Sequence, residues 1–158
     1  EKRYYDAFKE KYSDIAKWHE RLQSEAIQFK VVKLPSGREY AFPGAQRQAW
    51  GGSTYSTQIK NYPVQGFATA DIVPLTCIEV YKLMKEKNMK SVLINTVHDS
   101  IVVDIFPTEE EDIIDIFTKG ANRVIPALKE RYNINFNIPL DTEMKIGYDW
   151  LNLNEVTP

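Results

Sequence analysis

The stretch S-V-L-I-N-T-V-H-D-S-I-V-V-D-I-F, residues 91–106, sets a polar pair, His98 and Asp99, between two apolar runs. Val, Ile and Phe favour a pleated, half-buried strand. An ionisable pair among them is costly to bury, so it belongs at a turn or in a cleft. The pattern therefore predicts a β-hairpin that presents Asp99 to a divalent metal.

Asp99 has two interpretations when the hairpin is taken alone. Its carboxylate can bind a hard divalent cation, and His98 can donate a hydrogen bond to a phosphate or sugar oxygen. Alternatively, Asp99 is a turn aspartate that accepts hydrogen bonds from its own backbone. Asp104 is a poor second ligand, because strand alternation directs it to the other face unless a bulge intervenes.

The composition limits the classes of protein to which this chain can belong. Its 158 residues are about one domain in length, and no apolar run approaches the ~20 residues that cross a bilayer, so no membrane role is expected. Cys77 is the only cysteine, which excludes an internal disulfide and a cysteine-rich zinc site. The sequence starts at Glu1 rather than Met, and we expect it to be part of a longer or processed polypeptide.

The net charge of −2 hides an asymmetry along the chain. Residues 1–60 carry 11 Lys or Arg against 7 Asp or Glu, whereas residues 61–158 carry 9 against 15. A polyanionic partner would favour the first part, and an acidic second part suits metal ions or solubility. Charge alone does not choose between nucleic-acid binding and an ordinary solvated surface.

The first third of the sequence predicts helices followed by a small hairpin. Apolar residues recur at three- and four-residue steps from Tyr4 to Phe29, which indicates an amphipathic helix, and Ser13 is the expected N-cap that divides it in two. Two β-prone runs, Lys30–Leu34 and Arg38–Phe42, flank a turn. A Gly-, Gln- and Ser-rich loop is expected over residues 44–56.

The remainder predicts two long helices around the hairpin of residues 91–106 and a final strand. A helix should start near Pro63 and run to Lys87, with a kink or break at Pro74. Thr108 opens a capping box for a helix that ends near Lys119 and resumes past Gly120. The predicted class is α+β, with an antiparallel sheet centred on the hairpin and helices packed on it.

Other segments resemble one known family when they are taken together with the hairpin. Asn61–Gly66 (N-Y-P-V-Q-G) and Ala70–Ile72 (A-D-I) resemble the N-x-P-x-Q-G-x-x-x-D-I signature of family A DNA polymerases, of the bacterial DNA polymerase I type. Val97–Ser100 (V-H-D-S) resembles their motif C, usually V-H-D-E. Gly37-Arg38 is similar to the G-R-R hairpin after the fingers, and Pro139–Trp150 to the final strand and closing segment.

This resemblance implies a role for each candidate residue. Residues 1–60 would be the end of the fingers helices with a small hairpin and loop, and residues 61–158 the C-terminal palm, as one continuous unit. Asp99 would bind magnesium in a two-metal site that catalyses nucleotidyl transfer, and His98 would lie against the primer terminus. Asn61 and Gln65 would reach the minor groove of the nascent duplex. From the residues alone, the preferred interpretations are a cap or turn residue for Asn61 and an exposed first-turn polar side chain for Gln65.

Departures from the family pattern carry expectations of their own. Ser100 replaces the usual Glu, Thr57 stands where many members have an Arg that contacts DNA, and Pro74 interrupts a helix. The sequence lacks the D-x-S-x-x-E strand of motif A and the R-x-x-x-K-x-x-x-F-G helix of motif B. We therefore expect the isolated chain to be inactive, and a bacteriophage or prophage origin is our preferred interpretation.

The expected partners are primer-template DNA, a deoxynucleoside triphosphate and an upstream segment or second polypeptide that carries motifs A and B. A homodimer could instead cover the exposed sheet edge, and the location would be the cytoplasm of a bacterium or of a phage-infected cell. Two alternatives remain: a non-catalytic DNA-binding or partner-docking module with a polymerase-derived palm, and a hydrolase built on His98, Asp99 and Cys77.

Overall fold

A computed structural model describes residues 2–49 and 51–156 of the chain. It divides into two compact units, which we call unit 1 (residues 1–67) and unit 2 (residues 68–158). Helices and short antiparallel hairpins occur in both units, which confirms the α+β class. Over the described ranges, no helix combines the length and the apolar character that crossing a membrane requires.

Unit 1 is a helical pair followed by a hairpin and a third helix. Its elements are α1 (Lys2–Lys11), α2 (Ser13–Phe29), β1 (Val31–Lys33), β2 (Glu39–Ala41) and α3 (Ser56–Gln65). The division of the first helix and the hairpin are confirmed. The predicted cap is wrong, because Ser13 is the first residue of α2 and the N-cap residue, Tyr12, makes no side-chain capping bond.

The core of unit 1 lies between α2, the β1–β2 hairpin and α3. The buried residues of this cluster are Leu22, Ala26, Val32, Phe42, Ala45 and Ile59. The apolar stripe predicted for the first helix is only half buried in the structure. Phe8, Tyr12 and Ile15 are all more than two-fifths exposed, whereas the second half of α2 supplies the core.

The helical stretch that carries the N-x-P-x-Q-G pattern begins earlier than predicted. α3 starts at Ser56, so Pro63 lies inside the helix rather than in its first turn. A π-helical segment, Gly66–Ile72, follows directly, and α4 (Val73–Glu86) comes next with Pro74 in its first turn. The predicted break near Pro74 is thus confirmed, because the π-helix ends at Ile72 and an α-helix begins at Val73. Proline has no N–H to donate, so the first turn of an α-helix tolerates it.

Unit 2 places the central hairpin beside a pair of long helices. Its elements are α4, β3 (Val92–Val97), β4 (Ser100–Asp104), α5 (Glu110–Tyr132), β5 (Met144–Ile146) and β6 (Asn154–Val156). Its core cluster joins α4 to α5, and the partly buried Leu93, Val103 and Ile105 pack against it. The described residues form three two-stranded antiparallel sheets, one of which is β3–β4.

Three predictions for unit 2 require correction. The capping box predicted to open at Thr108 is absent, because the N-cap residue of α5 is Glu109 and makes no side-chain capping hydrogen bond. The expected interruption at Gly120 is absent, since α5 runs through this residue. Gly120 instead brings α5 close to α4, because a Cβ there would lie 2.5 Å from Val80 Cγ2. The final strand is limited to β5 and pairs with β6, which the sequence did not predict. The side chain of Asp149 bends the loop between them by accepting hydrogen bonds from the N–H groups of Leu151 and Asn152, both at 2.9 Å.

Candidate functional site

His98 and Asp99 form the two-residue turn of the β3–β4 hairpin. Val97 pairs with Ser100 across the turn, which confirms the predicted hairpin. His98 has a φ of +55°, in the left-handed region that a non-glycine residue adopts at a cost of about 1–2 kcal/mol. Backbone strain of this kind persists only where the surrounding structure imposes it, and it is concentrated at functional sites.

Ser100 holds the turn closed from the position where the family usually has Glu. Its hydroxyl donates a hydrogen bond to the carbonyl oxygen of Val97, at 2.8 Å. Because this bond bridges the two residues that flank the turn, it fixes the backbone on both sides of His98 and Asp99. The serine therefore has a conformational role where a glutamate would offer a carboxylate.

The Asp99 carboxylate is exposed to solvent and makes no bond to other described residues. Within the described part of the chain it has neither a hydrogen-bond partner nor an ion-pair partner. Asp149 is the contrasting case, since it accepts two backbone N–H groups and the side-chain amide of Asn152. The interpretation of Asp99 as a turn aspartate that bonds its own backbone therefore finds no support in the structure.

Asp99 offers the kind of ligand that magnesium uses in phosphoryl-transfer enzymes. Magnesium is commonly held by one or two carboxylates together with substrate phosphates, not by a cage of protein ligands. Residues 2–49 and 51–156 contain no group of three His, Cys, Asp or Glu side chains arranged to hold a metal. An exposed carboxylate such as that of Asp99 is compatible with a site that substrate phosphates complete.

Asp104 does not lie near Asp99 at the turn of the hairpin. The hairpin does contain a bulge, but its register shift lies in β3 between Leu93 and Asn95. Alternation along β4 is therefore uninterrupted from Ser100 to Asp104, which pairs with Val92 at the far end of the hairpin. Asp104 therefore does not lie beside Asp99 as a second candidate ligand.

A hydrogen-bond network anchored by Glu109 closes the base of the hairpin. The Glu109 carboxylate accepts hydrogen bonds from the N–H of Lys90 at 2.9 Å and from the N–H and hydroxyl of Ser91 at 2.8 and 2.7 Å. The buried Ser91 hydroxyl oxygen in turn accepts the N–H of Phe106 at 2.9 Å. These hydrogen bonds link the residues that precede β3 to the residues that follow β4. The sequence assigned this Glu-rich run only to the start of a helix.

Glu109→Gln should make the hairpin base less stable and remove part of the acid sensitivity of the fold. The backbone hydrogen bond from Lys90 and the hydroxyl of Ser91 hold the pKa of Glu109 below its usual 4.5. Its stabilising contribution is therefore present above pH 4.5 and is lost as the pH falls through the lowered pKa. We expect a lower free energy of unfolding at pH 7 and a smaller decrease between pH 7 and pH 3, measured by urea denaturation.

Glu111→Gln is the matched control for this prediction, because it makes the same change in the first turn of α5 without these hydrogen bonds. Equal pH dependence in the two variants would contradict the role given to Glu109.

Strand β3 exposes apolar side chains along much of its length. Val92, Ile94 and Val97 are 50%, 58% and 43% exposed. Within the described residues β3 pairs only with β4, so its other edge carries backbone groups without a strand partner. Exposed apolar strands of this kind are surfaces for pairing with another segment or chain.

Asn61 and Gln65 lie on one face of α3, in unit 1. They are separated by four residues, which places them one above the other on the helix, and both are exposed. Because α3 begins at Ser56, Asn61 is an interior helical residue and neither a cap nor a turn residue. Gln65 is likewise at the end of α3 and not in its first turn. The helical face that bears these two amides is the second candidate site.

The π-helical segment contains the rest of the same sequence pattern, and sequence analysis did not find it. Gly66 and Asp71 lie within it, and both are buried. π-Helical turns are rare and occur frequently at functional sites. Two signals of an irregular helix were present in the sequence: a proline inside α3 and another at the start of α4, and four residues between Gly66 and Asp71 where the quoted signature has three.

Cys77 does not provide an activated nucleophile. It lies in α4, is partly buried, and burial raises the pKa of its thiol. A catalytic cysteine requires the opposite shift, because the thiolate is the nucleophile. This observation counts against a hydrolase built on Cys77.

Comparison with protein families matches residues 1–152 to DNA polymerase family A. The chain belongs to this family. It is 40% identical over 90 residues to the DNA polymerase I of Caldicellulosiruptor bescii, a match that covers 57% of the chain and 9% of that protein. With the DNA polymerase I of Lactococcus lactis subsp. lactis, the identity is 30% over 151 residues, or 94% of the chain and 16% of the relative.

The thermostable DNA polymerase I of Thermus aquaticus is 25% identical over 154 residues, which is 97% of the chain and 17% of that protein. The family A chain therefore spans less than a fifth of the length of each of these three relatives. The resemblance drawn from the motifs is confirmed at the level of the family.

Proposed function

We propose that this chain is the C-terminal palm of a DNA-directed DNA polymerase and that it contributes one metal-binding aspartate and contacts to the primer-template duplex. The observation that carries the proposal is the exposed, uncommitted carboxylate of Asp99 at the tip of a strained hairpin turn, in a chain of family A. This arrangement leaves the carboxylate accessible to a metal ion that is also bound by substrate phosphates.

Asp99 would hold magnesium, which lowers the pKa of the primer 3′-hydroxyl and neutralises charge on the triphosphate. The turn strain at His98 and the Ser100 hydrogen bond would fix the direction in which the carboxylate points. His98, adjacent to Asp99 and exposed, would donate a hydrogen bond to the primer terminus. In-line displacement then requires the attacking and leaving oxygens to be aligned, which is mostly a matter of positioning.

Asn61 and Gln65 would contact the minor groove of the nascent duplex. Hydrogen-bond acceptors occur there at similar places for A·T, T·A, G·C and C·G pairs. Two exposed amides on one helical face can donate to such acceptors irrespective of sequence. A mispair displaces the acceptors, so these contacts would test the geometry of pairing.

The missing carboxylate and the nucleotide-binding helix would come from an upstream segment or a second polypeptide that carries motifs A and B. The edge of β3 that has no strand partner among the described residues supports this proposal, because another strand could pair there and extend the sheet. A homodimer through the same edge is the competing arrangement. The chain by itself would not synthesise DNA, since it provides one carboxylate of a two-metal site.

Primer extension tests this proposal with three samples: the chain alone, a polypeptide carrying motifs A and B alone, and an equimolar mixture. We expect template-dependent extension only in the mixture, and a mixed complex in light scattering. Extension by the chain alone would show that its predicted inactivity is wrong. A mixture that binds duplex DNA without extending primers would indicate a non-catalytic accessory module instead.

A further inference from the structure

Helix α3 is held against the β1–β2 hairpin by a row of aromatic contacts within unit 1. The Tyr62 ring lies 5.3 Å from the Tyr40 ring and 5.9 Å from the Phe42 ring, between centroids. Phe42 also lies 6.1 Å from Tyr55, the residue that precedes α3. These contacts follow one face of the helix, because its positions 55, 62 and 66 are separated by seven and four residues.

The tightest contact of this row is between Tyr40 and Gly66. A Cβ at Gly66 would lie 2.8 Å from Tyr40 Cζ and closer still to the phenolic hydroxyl. The tyrosine therefore occupies the space that any side chain at position 66 would need. Gly66 is buried, although both its neighbours along the chain are at least partly accessible. Only glycine allows the helix to approach the hairpin this closely.

The Tyr40 ring is restrained in this position. It contacts the Tyr62 ring in a tilted arrangement, with 57° between the ring planes, and packs against the unit 1 core cluster, which includes Val32 and Ile59. A side chain added at Gly66 could not displace the ring without disrupting these contacts. The helix would rotate or move away from the hairpin instead.

The amides proposed to contact DNA stand one residue before the contact positions. Asn61 precedes Tyr62 and Gln65 precedes Gly66, so each amide is displaced from its neighbour by about 100° and 1.5 Å along the helix. Any rotation of α3 about its axis therefore moves both amides together. The row of contacts to Tyr40 and Phe42 determines where they project.

We infer that Tyr40 is a positioning residue that, by seating against Gly66, fixes the rotation of α3 and thereby directs Asn61 and Gln65 towards the duplex. This inference rests on the proposed function. Tyr40 itself need not touch DNA. It acts through a steric fit to a glycine in the family signature, and displacements of about 1 Å at such sites can reduce rates up to a hundredfold.

The test uses the extending mixture described above, with Tyr40→Ala, Gly66→Ala and the double variant. The readout is the ratio of extension from a matched primer terminus to extension from a mismatched one, with melting temperatures recorded in parallel. We expect each single variant to lower this ratio about tenfold. The double variant should be no worse than Tyr40→Ala, because the two changes remove one shared contact. Tyr40→Phe keeps the ring and should retain most of the ratio.

A second readout needs no activity. In the ¹⁵N-labelled chain, the side-chain amide signals of Asn61 and Gln65 should shift in Gly66→Ala. They should not shift in Tyr81→Ala, the matched control, which removes an exposed tyrosine from α4 in unit 2.

The outcomes separate the inference from the proposed function. If Asn61→Ala lowers the ratio while folded Tyr40→Ala and Gly66→Ala leave it unchanged, the positioning role is wrong and the minor-groove contact stands. If Asn61→Ala has no effect either, the minor-groove contact is wrong and the positioning role is overturned with it. Unchanged amide signals in Gly66→Ala would also overturn the positioning role.

Discussion

Asp99→Ala should reduce primer extension by the mixture of this chain and a polypeptide carrying motifs A and B by about a thousandfold. The carboxylate is exposed, has no partner among the described residues and lies at the end of a turn that the backbone holds in a strained conformation. Its removal would leave the proposed metal site without one of its charged ligands. Catalysis of phosphoryl transfer is mostly electrostatic positioning, so the loss should appear in kcat.

The controls for Asp99→Ala separate chemistry from folding. Asp104→Ala removes an exposed carboxylate from the other end of the same hairpin and should leave the rate nearly unchanged. Asp99→Asn keeps the size of the side chain but not its charge, and should be nearly as inactive as alanine. A mixture that extends primers equally well with Asp99→Ala would show that Asp99 is not part of the catalytic site.

The hairpin was predictable because its sequence signals agree. β-branched residues run on both sides of a polar pair, and the observed strands β3 and β4 form the predicted hairpin around it. The bulge between Leu93 and Asn95 was not predictable, since no glycine or other local signal marks it in the sequence. The role of Glu109 was missed for a similar reason, because its partners are 18 and 19 residues earlier in the chain.

The predicted start of α3 at a proline and the predicted interruption of α5 at a glycine are both wrong. Proline is favoured in the first turn of a helix, yet α3 already has about two turns before Pro63. These turns bury Ile59 in the unit 1 core. Gly120 was read as an interruption, but close packing against Val80 compensates for its low helical propensity. In both cases a tertiary contact outweighed a local preference.

The candidate residues differ in how much the sequence could say about them. Residue type and spacing identified Asp99, Asn61 and Gln65 through the family motifs. Sequence could not show that Asp99 lacks backbone partners, or that Tyr40 fills the space beside Gly66, since both are properties of packing. The structure therefore adds to the motifs the contacts that hold their residues in place.

Asn61→Ala and Gln65→Ala should each slow extension from a matched primer about fivefold, and together about twenty-five-fold, if each amide donates one hydrogen bond to the minor groove. From a mismatched primer, the variants and the unmodified chain should extend at similar rates, because the displaced acceptors are out of reach in every case. The ratio of matched to mismatched extension measures this directly.

Gln28→Ala is the matched control, since it removes an exposed amide from α2 and leaves α3 intact. Its ratio should equal that of the unmodified chain. If Asn61→Ala behaves like Gln28→Ala, α3 does not monitor the duplex. If the variants slow matched and mismatched extension by the same factor, the amides contribute binding affinity alone. Equal rates of extension from mismatched primers, in the variants and in the unmodified chain, are expected only if the amides donate to acceptors whose position depends on correct pairing. Such contacts distinguish a matched pair from a mismatched one, but they do not distinguish one matched pair from another.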